Sequence, residues 1–465
     1  MKKILNIVVV LVMVGCSFAP QYERPKMALP DSFGYANGRD NAVSSQWWKH
    51  FDSEILNVFV EEALMHNRDI MAAAARTEQA AAMLGTAKSA LFPSVDGTVQ
   101  ISENWVKGDK VQGGTPPFSA GLNASWQIDL FGKYRNAAES AKAQLLASHA
   151  AWEGVMLSVI GQTVSGFYLL KSLDLQLNIA KETVASREKS VTIYEQRYEA
   201  GLISQLDLAQ MKSSLETARS SYFKVKISRD KADAALILLL GRSPADIMET
   251  SIASGIDLEQ VFIQPVIPSG LPSKLLERRP DIKSAEQSII SANADIGTAK
   301  AMWFPDISLT GMFGIVSNEL DRLFTDPKLA WSYGASANIP LMNFGRVSSG
   351  VRQAEARKKE AVINYEKTVQ QAFADLRNAL ISQSELQNVV KSLDVMRGEL
   401  RRAYDIVTLQ YDRGYVSYID VLDTERTLFQ TEMELASARS DYITAVVNVC
   451  MALGGGWYDG FEDGD

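Results

Sequence analysis

Cysteine and histidine are scarce in this 465-residue chain. The sequence has two cysteines and three histidines, namely Cys16, Cys450, His50, His66 and His149. These residue types supply most zinc ligands and several kinds of catalytic nucleophile, so their scarcity argues against a metal centre and against cysteine hydrolase chemistry. The sequence also lacks the GxxxxGK[ST] pattern of a phosphate-binding loop. We therefore expect neither an enzyme nor a protein with a bound metal.

An excess of positive charge is also missing. The chain has 55 acidic and 47 basic residues, a formal net charge of -8, and 46% hydrophobic residues. This composition argues against bulk disorder and offers no basic surface that could follow a phosphate backbone. We expect a folded protein that does not bind nucleic acid.

The amino terminus lacks an apolar run long enough to cross a bilayer. Lys2 and Lys3 precede only the segment from Ile4 to Val14, which is typical of a cleaved secretory signal. The segment ends in Met13-Val14-Gly15-Cys16, and small residues before a cysteine are typical of a lipoprotein signal, although leucine is more usual than Met13. We predict a signal peptide at residues 1–15, with diacylglycerol and an N-acyl chain on Cys16. The alternative is a plain secretory signal with a chance cysteine.

The chain contains an internal duplication. The segment GTAKSALFPSVDGTVQIS at residues 85–102 returns as GTAKAMWFPDISLTGMFG at residues 297–314, an offset of 212. After one inserted residue the offset becomes 213, since Phe131-Gly132 matches Phe344-Gly345. A period this long indicates a duplicated half rather than a short solenoid repeat. The predicted order is a lipid-anchored segment at 16–52, a first repeat at 53–241, a connector at 242–272, a second repeat at 273–456 and a flexible tail at 457–465.

Helical periodicity dominates both repeats. Residues 53 to 90 predict one helix, and the proline-free stretches 135–199 and 347–412 predict helices about 100 Å long at 1.5 Å per residue. Residues 204–240 and 417–453 predict return helices. Helices of this length do not fit inside a compact domain, so we expect them to pack as coiled coils.

Each repeat also contains two segments that alternate between apolar and polar residues. They form predicted hairpins at residues 93–130 and 305–341. Such alternation fits a soluble sheet with one wet face as well as a membrane barrel, and the pattern alone leaves both open. In a membrane, an open sheet edge would leave backbone groups unsatisfied at several kcal/mol each, so several chains would have to share a barrel. Two chains would give eight strands with a filled interior, whereas three would give twelve strands and room for a passage; on the membrane interpretation we infer a trimer.

Several motifs together resemble the outer membrane factor family of TolC-like channels, and within it the efflux lipoprotein branch. The matching segments are the lipoprotein signal, Tyr22-Glu23-Arg24-Pro25, Trp47-Trp48 with Phe51, Leu271-Pro272-Ser273, Leu276-Glu277-Arg278-Arg279-Pro280-Asp281-Ile282, both Phe-Pro strand entries and Ala452-Leu453-Gly454-Gly455-Gly456-Trp457. The resemblance covers essentially the whole mature chain.

The resemblance implies an α+β membrane protein of the Gram-negative outer membrane. Its expected form is a homotrimer whose twelve-stranded β-barrel, with four strands per chain, continues into a long periplasmic α-helical barrel. It further implies passive export in a tripartite efflux pump, with a periplasmic adaptor, an inner-membrane pump and outer membrane lipid as partners.

Two glycine-containing turns are the candidate functional site. In each turn a glycine permits a left-handed exit from a helix, and a serine three residues before an aspartate forms a capping box for the next helix. Asp207 and Asp420 are therefore expected to cap helices. The resemblance adds adaptor docking at both turns, through Gly201, Leu202, Ser204, Gly414, Tyr415 and Ser417.

The resemblance also assigns gating roles beside these turns. Asp420 and Asp423 match positions that form acidic rings at the narrow periplasmic end, and two like charges one turn apart repel mildly on a helix. Tyr411 and Asp207 match a pair that helps to hold the closed state. Val416 stands where some relatives have arginine, so the closing network is expected to differ here.

Two other functions compete with efflux. One is the outer-membrane channel of a protein secretion system of type I, and the other is a structural, lipid-anchored periplasmic coiled coil. The second would explain the long helices and Cys16 but not the four amphipathic strands.

Overall fold

The computed structural model describes residues 17–30, 46–51, 53–101, 105–106, 109–110, 118–252 and 277–455. The predicted signal peptide, Cys16, most of the predicted connector and the predicted tail lie outside the described residues. The described helices are α1 (Glu54–His66), α2 (Arg68–Ser89), α3 (Lys133–Glu199), α4 (Gln205–Leu239), α5 (Pro244–Glu249), α6 (Pro280–Ala301), α7 (Arg322–Thr325), α8 (Arg346–Asp412) and α9 (Tyr418–Ala452). The strands are β1 (Ser94–Ile101), β2 (Trp105–Val106), β3 (Asp109–Lys110), β4 (Phe118–Ile128), β5 (Asp306–Ser317) and β6 (Lys328–Asn338).

The predicted long helices and return helices are confirmed. Helices α3 and α8 have 67 residues each, and α4 and α9 have 35 residues each. The equal lengths show that the duplication read from the sequence extends to the helices. No described helix is both long enough and apolar enough to cross a membrane.

Glycine ends each of these four helices. Gly201, Gly241, Gly414 and Gly454 all have positive φ, between 71° and 91°. At the end of α3 the Gly201 amide donates to the Tyr198 carbonyl at 2.9 Å and the Leu202 amide donates to the Arg197 carbonyl at 2.8 Å. This pattern of two backward hydrogen bonds satisfies the last carbonyls of a helix and needs a left-handed residue.

The single helix predicted over residues 53 to 90 is wrong in one respect, because the structure divides it at Asn67. Asn67 has ψ 130°, and its side-chain oxygen accepts hydrogen bonds from the amides of Asp69 and Ile70 at 2.9 and 3.2 Å. Its amide nitrogen donates to the carbonyl of Leu239 at 2.8 Å. Asparagine thus caps α2 and also fastens the end of α4.

The fold divides into two compact units, and each is described by itself. Unit one comprises the described residues within 1–27, 74–150 and 282–368, and unit two comprises the described residues within 28–73, 151–281 and 369–465.

Unit one contains a single antiparallel sheet in the order β1-β4-β5-β6. The two predicted hairpins are therefore joined, because β4 pairs with β5 along its whole length, from Phe118 opposite Ser317 to Ile128 opposite Ile307. Apolar residues face each other in this pairing, for example Leu122 opposite Phe313. The shared face follows from the two-residue period of both strands. Strands β2 and β3 form a separate two-stranded ribbon.

The segment that follows Cys16 lies along the helices of unit one. Ser17 donates to Asn136 at 2.9 Å, and the Phe18 ring stacks on Phe304 with centroids 4.5 Å apart. Further along, Arg24 forms a bidentate ion pair with Glu286 of α6 at 2.7 and 2.8 Å. These contacts hold the segment close to the residues where β5 begins.

Unit two contains the main hydrophobic core. The core packs side chains of α1, α3, α4, α8 and α9 around a short 3-10 helix, Trp47–Phe51, whose three aromatic residues are buried. Cys450 of α9 is a free cysteine packed against this core, and burial raises the pKa of its thiol to about 12. The residues that carried the family resemblance at Trp47-Trp48 and Phe51 are therefore core residues.

The Arg-Pro-Asp motif is a structural clamp in unit two. Arg279 is buried and forms a bidentate pair with Asp281 at 3.0 and 2.7 Å. It also contacts Asp375 of α8 and the Ala452 carbonyl at the end of α9, both at 3.3 Å. One guanidinium therefore links the start of α6 to two other helices.

The close approach of two chain segments at Gly241 generates a stability prediction. A Cβ at Gly241 would lie 2.1 Å from the His66 carbonyl oxygen, and the residue has φ +72°. We expect Gly241→Ala to lower the free energy of unfolding by at least about 2 kcal/mol. Thermal loss of helical circular dichroism in detergent measures the change.

Gly398→Ala is the matched control, because Gly398 lies in α8 with nothing within 4 Å of the added methyl group. We expect this control to leave stability unchanged or to raise it by up to about 1 kcal/mol. Equal melting temperatures for the two variants would contradict the steric argument.

Candidate functional site

The two turns that join the long helices to their return helices have the same hydrogen-bonded form. After α3, Ser204 Oγ accepts the Asp207 amide at 3.2 Å, while the Asp207 carboxylate accepts the Ser204 amide at 3.0 Å. After α8, the Asp420 carboxylate accepts the Ser417 amide at 3.0 Å and the Ser417 hydroxyl at 2.8 Å. The predicted capping by both aspartates is confirmed. Such caps hold the first turn of α4 and α9 at a fixed angle to the turn.

Asp207 is engaged within its own turn. Hydrogen bonds from the side chain and backbone of Ser204 hold the pKa of its carboxyl below the usual range. Among the described residues, no hydrogen bond joins Asp207 to Tyr411. The pair expected from the resemblance is therefore not brought together within one chain.

Asp423 has a partner that the sequence analysis missed. Its carboxylate accepts a short hydrogen bond from Arg426, one turn further along α9, and both side chains are about two-thirds exposed. An exposed pair at this spacing contributes a few tenths of a kcal/mol to a helix, so it forms and breaks easily. The negative charge expected at this position is therefore partly offset in the single chain.

Tyr411 belongs to an aromatic cluster that joins the two repeats. We call Tyr194, Arg197, Tyr411 and Tyr418 the tyrosine cluster. The Tyr194 and Tyr411 hydroxyls lie 3.1 Å apart, and Arg197 donates to the Tyr411 hydroxyl. Tyr418 packs against both other rings, with centroid distances of 4.8 and 5.1 Å. The cluster therefore connects α3 of the first repeat to α8 and α9 of the second.

Burial shifts the pKa of two members of the tyrosine cluster. Burial raises the pKa of Tyr194, with the hydrogen bond to Tyr411 acting in the same direction. Burial also raises the pKa of Tyr418, whose hydroxyl donates to Ser190 at 3.3 Å. These tyrosines thus act as hydrogen-bonding and packing groups.

A buried ion pair lies between one and two helical turns beyond Asp420. Arg187 of α3 donates to the Ser214 carbonyl of α4 at 2.7 Å, and its Nε lies 3.8 Å from Oε2 of Glu425 on α9. The two side chains are only 6% and 14% exposed. Burial raises the pKa of Glu425, and the Arg187 charge opposes that rise. No sequence motif identified this pair, because Arg187 and Glu425 come together only when α3, α4 and α9 pack.

Each turn also presents exposed apolar side chains. Leu202 and Tyr415 follow the two glycines and are 73% and 76% exposed, and Leu206 and Ile419 in the first turns of α4 and α9 are also exposed. Positive φ at Gly201 and Gly414 ends the preceding helix just before these positions. The predicted docking residues are thus accessible.

The described residues contain no group of three or more histidine, cysteine, aspartate or glutamate side chains that could hold a metal ion.

Comparison with known proteins gives consistent matches along the whole chain. The family model described as outer membrane efflux protein matches residues 59–242 and 271–455. The chain is 32% identical to the cation efflux system protein CusC of Escherichia coli O6:H1 over 463 residues, covering 98% of this chain and 99% of CusC. It is 33% identical to the probable outer membrane lipoprotein SilC of Salmonella typhimurium over 469 residues, covering 98% of this chain and 99% of SilC. Among solved structures, the CmeC outer membrane channel of Campylobacter jejuni has a TM-score of 0.89 at 28% identity, covering 96% of each chain.

The Arg187–Glu425 pair generates a pH-dependent stability prediction. In Arg187→Met the pKa of Glu425 rises further, because the neighbouring positive charge is lost. A carboxyl whose folded pKa is raised stabilises the fold at low pH and loses that contribution as pH rises through the folded pKa. We expect a loss of about 2–3 kcal/mol at pH 8 and a smaller loss at pH 5.

Thermal unfolding at the two pH values measures this effect. The double variant Arg187→Met, Glu425→Gln is the control, since it has no charge left to titrate at this position. If Arg187→Met alone is destabilised equally at pH 5 and pH 8, the pair does not interact electrostatically in the folded protein.

Proposed function

Because the chain belongs to the outer membrane efflux protein family, we propose that it is the outer-membrane channel subunit of a tripartite efflux pump. It passively conducts substrates from a periplasmic adaptor and inner-membrane pump to the exterior. The observation that carries the proposal is the match to a solved outer membrane channel over 96% of both chains. The two segments matched by the family model also support the proposed division into two repeats at 53–241 and 273–456.

The sheet of unit one supports a shared barrel. The sheet of one chain has four strands, and its outer strands β1 and β6 each pair with a single described neighbour. Unpaired backbone groups are costly in hydrocarbon, so the outer edges of both strands require partners there. Three copies supply twelve strands, which is enough for a barrel with a passage. The channel is therefore a homotrimer.

The long helices supply the periplasmic part of the channel. Helices α3 and α4 form one antiparallel pair and α8 and α9 form the other, each joined by a glycine turn. Three copies of Asp420 and of Asp423 converge at the narrow periplasmic end. Their mutual repulsion hinders a dry seal and favours cations at the entrance.

The contacts between repeats hold this entrance closed. The tyrosine cluster and the Arg187–Glu425 pair both fasten α9 or α8 to α3. Opening requires the α8–α9 pair to separate from the α3–α4 pair, which breaks these contacts. An adaptor that binds the exposed apolar residues at Leu202 and Tyr415 supplies the free energy for that separation.

The N-terminal segment supports lipid anchoring at Cys16. Ser17 and Phe18 contact Asn136 and Phe304, so the chain immediately after Cys16 is fixed beside the start of β5. Diacylglycerol and an N-acyl chain on Cys16 therefore enter the inner leaflet beside the barrel. Two or more acyl chains give stable anchoring, whereas one gives only reversible binding.

Deletion and complementation test the efflux function. A strain that lacks the chain should become sensitive to at least one class in a panel of dyes, antibiotics, bile salts and metal ions, and the intact gene should restore growth. Relatives are named for export of different compounds, including cations and solvents, so the panel has to be broad. If the deletion strain instead fails to release a protein into the culture medium and keeps its normal sensitivity to every compound in the panel, the result would support the secretion channel.

Charge removal at the entrance tests the gate. Asp420→Asn with Asp423→Asn removes both carboxylates from every copy, while the asparagine side chain introduced at the capping position retains an oxygen that can accept the capping hydrogen bonds. We expect lower cation preference and altered single-channel conductance in planar bilayers. Asp321→Asn, in the turn between β5 and β6, is the control and should leave the currents unchanged. Currents unaltered in the double variant would exclude both residues from the gate.

A further inference from the structure

The internal duplication extends to the register of the strands. In the first repeat Ser94 of β1 lies opposite Ser125 of β4, and in the second repeat Asp306 of β5 lies opposite Asn338 of β6. These pairs are related by the offsets of 212 and 213 found in the sequence. Strand β5 is therefore the structural counterpart of β1, and β6 is the counterpart of β4.

The two repeats meet at one joint within the chain, where β4 pairs with β5. At this joint Ser125 lies opposite Thr310 and Ala124 lies opposite Gly311. Below the strands, Phe131 and Phe304 stack with centroids 4.7 Å apart and an interplanar angle of 20°. The exit of one repeat is thus fastened to the entry of the other by strand pairing and by an aromatic stack.

Among the described residues of one chain, the strand edges equivalent to this joint have no neighbouring strand. The counterpart of β4 is β6 and the counterpart of β5 is β1, and both are edge strands of the described sheet. The counterparts of Phe131 and Phe304 are Phe344 and Phe92, whose side chains are 94% and 68% exposed. A second copy of the chain can supply both missing halves.

We propose that neighbouring copies repeat this joint, with β6 of one copy paired to β1 of the next and Phe344 stacked on Phe92. Transfer of the β4–β5 register places Asn338 opposite Thr98 and Ala337 opposite Val99. This inference rests on the proposed trimeric channel and adds the register and the contact that close it.

The side-chain pattern independently supports this register. It places Ala337 opposite Val99 and Leu341 opposite Val95 on the apolar face, while Asn338 meets Thr98 on the polar face. A slip of one residue would place every apolar side chain of one strand against polar neighbours of the other. Val95, Val99 and Leu341 are 63%, 76% and 92% exposed in the single chain, and this register continues the apolar, lipid-facing side of the sheet from one copy to the next.

The ion pair of the internal joint is not repeated. Lys133 binds Asp306 at 2.8 and 3.0 Å, but the equivalent positions hold Arg346 and Ser94. The joint between copies therefore depends on backbone pairing and on Phe344 and Phe92, which makes these two side chains its main specific contact.

Disulfide crosslinking tests the register in intact cells. Thr98→Cys and Asn338→Cys are combined in a Cys450→Ala background, and an oxidant is added before non-reducing electrophoresis. Directly opposed residues approach within reach of a disulfide, whereas residues two positions away on the same face lie about 7–8 Å apart. We expect covalent dimers and trimers from this pair, and none from either single cysteine.

Two shifted pairs are the controls, namely Asn338→Cys with Asp96→Cys and Asn338→Cys with Gln100→Cys. Stronger crosslinking of a shifted pair would overturn the proposed register while leaving the trimeric channel intact. The protein without introduced cysteines tests the trimer itself. If it migrates only as a monomer in electrophoresis after mild extraction, the trimer is overturned.

Removal of the aromatic contact tests the stack. Phe344→Ala and Phe92→Ala should each lower the temperature at which the trimer dissociates in detergent, and the double variant should lower it little further than either single change. Phe324→Ala is the matched control, because Phe324 is 75% exposed in α7 and does not lie at this joint. Additive losses from Phe344→Ala and Phe92→Ala, or an equal loss in the control, would overturn the contact.

Discussion

In the proposed shared barrel, the requirement that backbone hydrogen-bonding groups be satisfied in hydrocarbon determines how the sheet is completed. A four-stranded sheet leaves two edges, and no arrangement of four strands within one chain removes them. The duplication offers a solution, because each repeat carries one entry strand and one exit strand. The exit strand β4 pairs with the entry strand β5 once within the chain. The same kind of pairing can then form between chains, with β6 as the exit strand and β1 as the entry strand. The long helices belong to the same duplication, since the exit strand of each repeat leads into a helix of 67 residues.

The contacts between the helices divide into permanent and breakable groups. The glycine ends of α4 and α9, the Asn67 cap and the Arg279 clamp involve buried or backbone groups in unit two. Near the turns the links are hydrogen bonds between tyrosines and arginine, a loosely spaced ion pair and an exposed Asp423–Arg426 pair. The hydrophobic cluster near the turns, formed by Val191, Tyr194, Met211 and Leu215, is much smaller than the main core of unit two, which is consistent with local opening there.

Much of the fold could be predicted because its signals are local or repeated. Glycine at the helix ends, the serine-to-aspartate spacing and the absence of proline define α3, α4, α8 and α9 to within two residues. The break at Asn67 has a local signal in its cap on the amides of Asp69 and Ile70, but its side chain also binds the distant Leu239 carbonyl, which the sequence does not reveal. The same holds for Arg187 and Glu425, which lie in different repeats and are ordinary in their local sequence. Motif matching identified Tyr411, but its actual partners, Tyr194 and Arg197, depend on how α3 and α8 pack.

The partly buried thiol of Cys450 has a consequence for the reactivity of the folded protein. A pKa of about 12 leaves almost no thiolate at neutral pH, so the group reacts slowly with oxidants and with other disulfides. An outer membrane protein passes through an oxidising compartment where exposed thiols are rapidly captured. With Cys450 partly buried against the core, the folded chain keeps this thiol in a form that is slow to enter mixed disulfides.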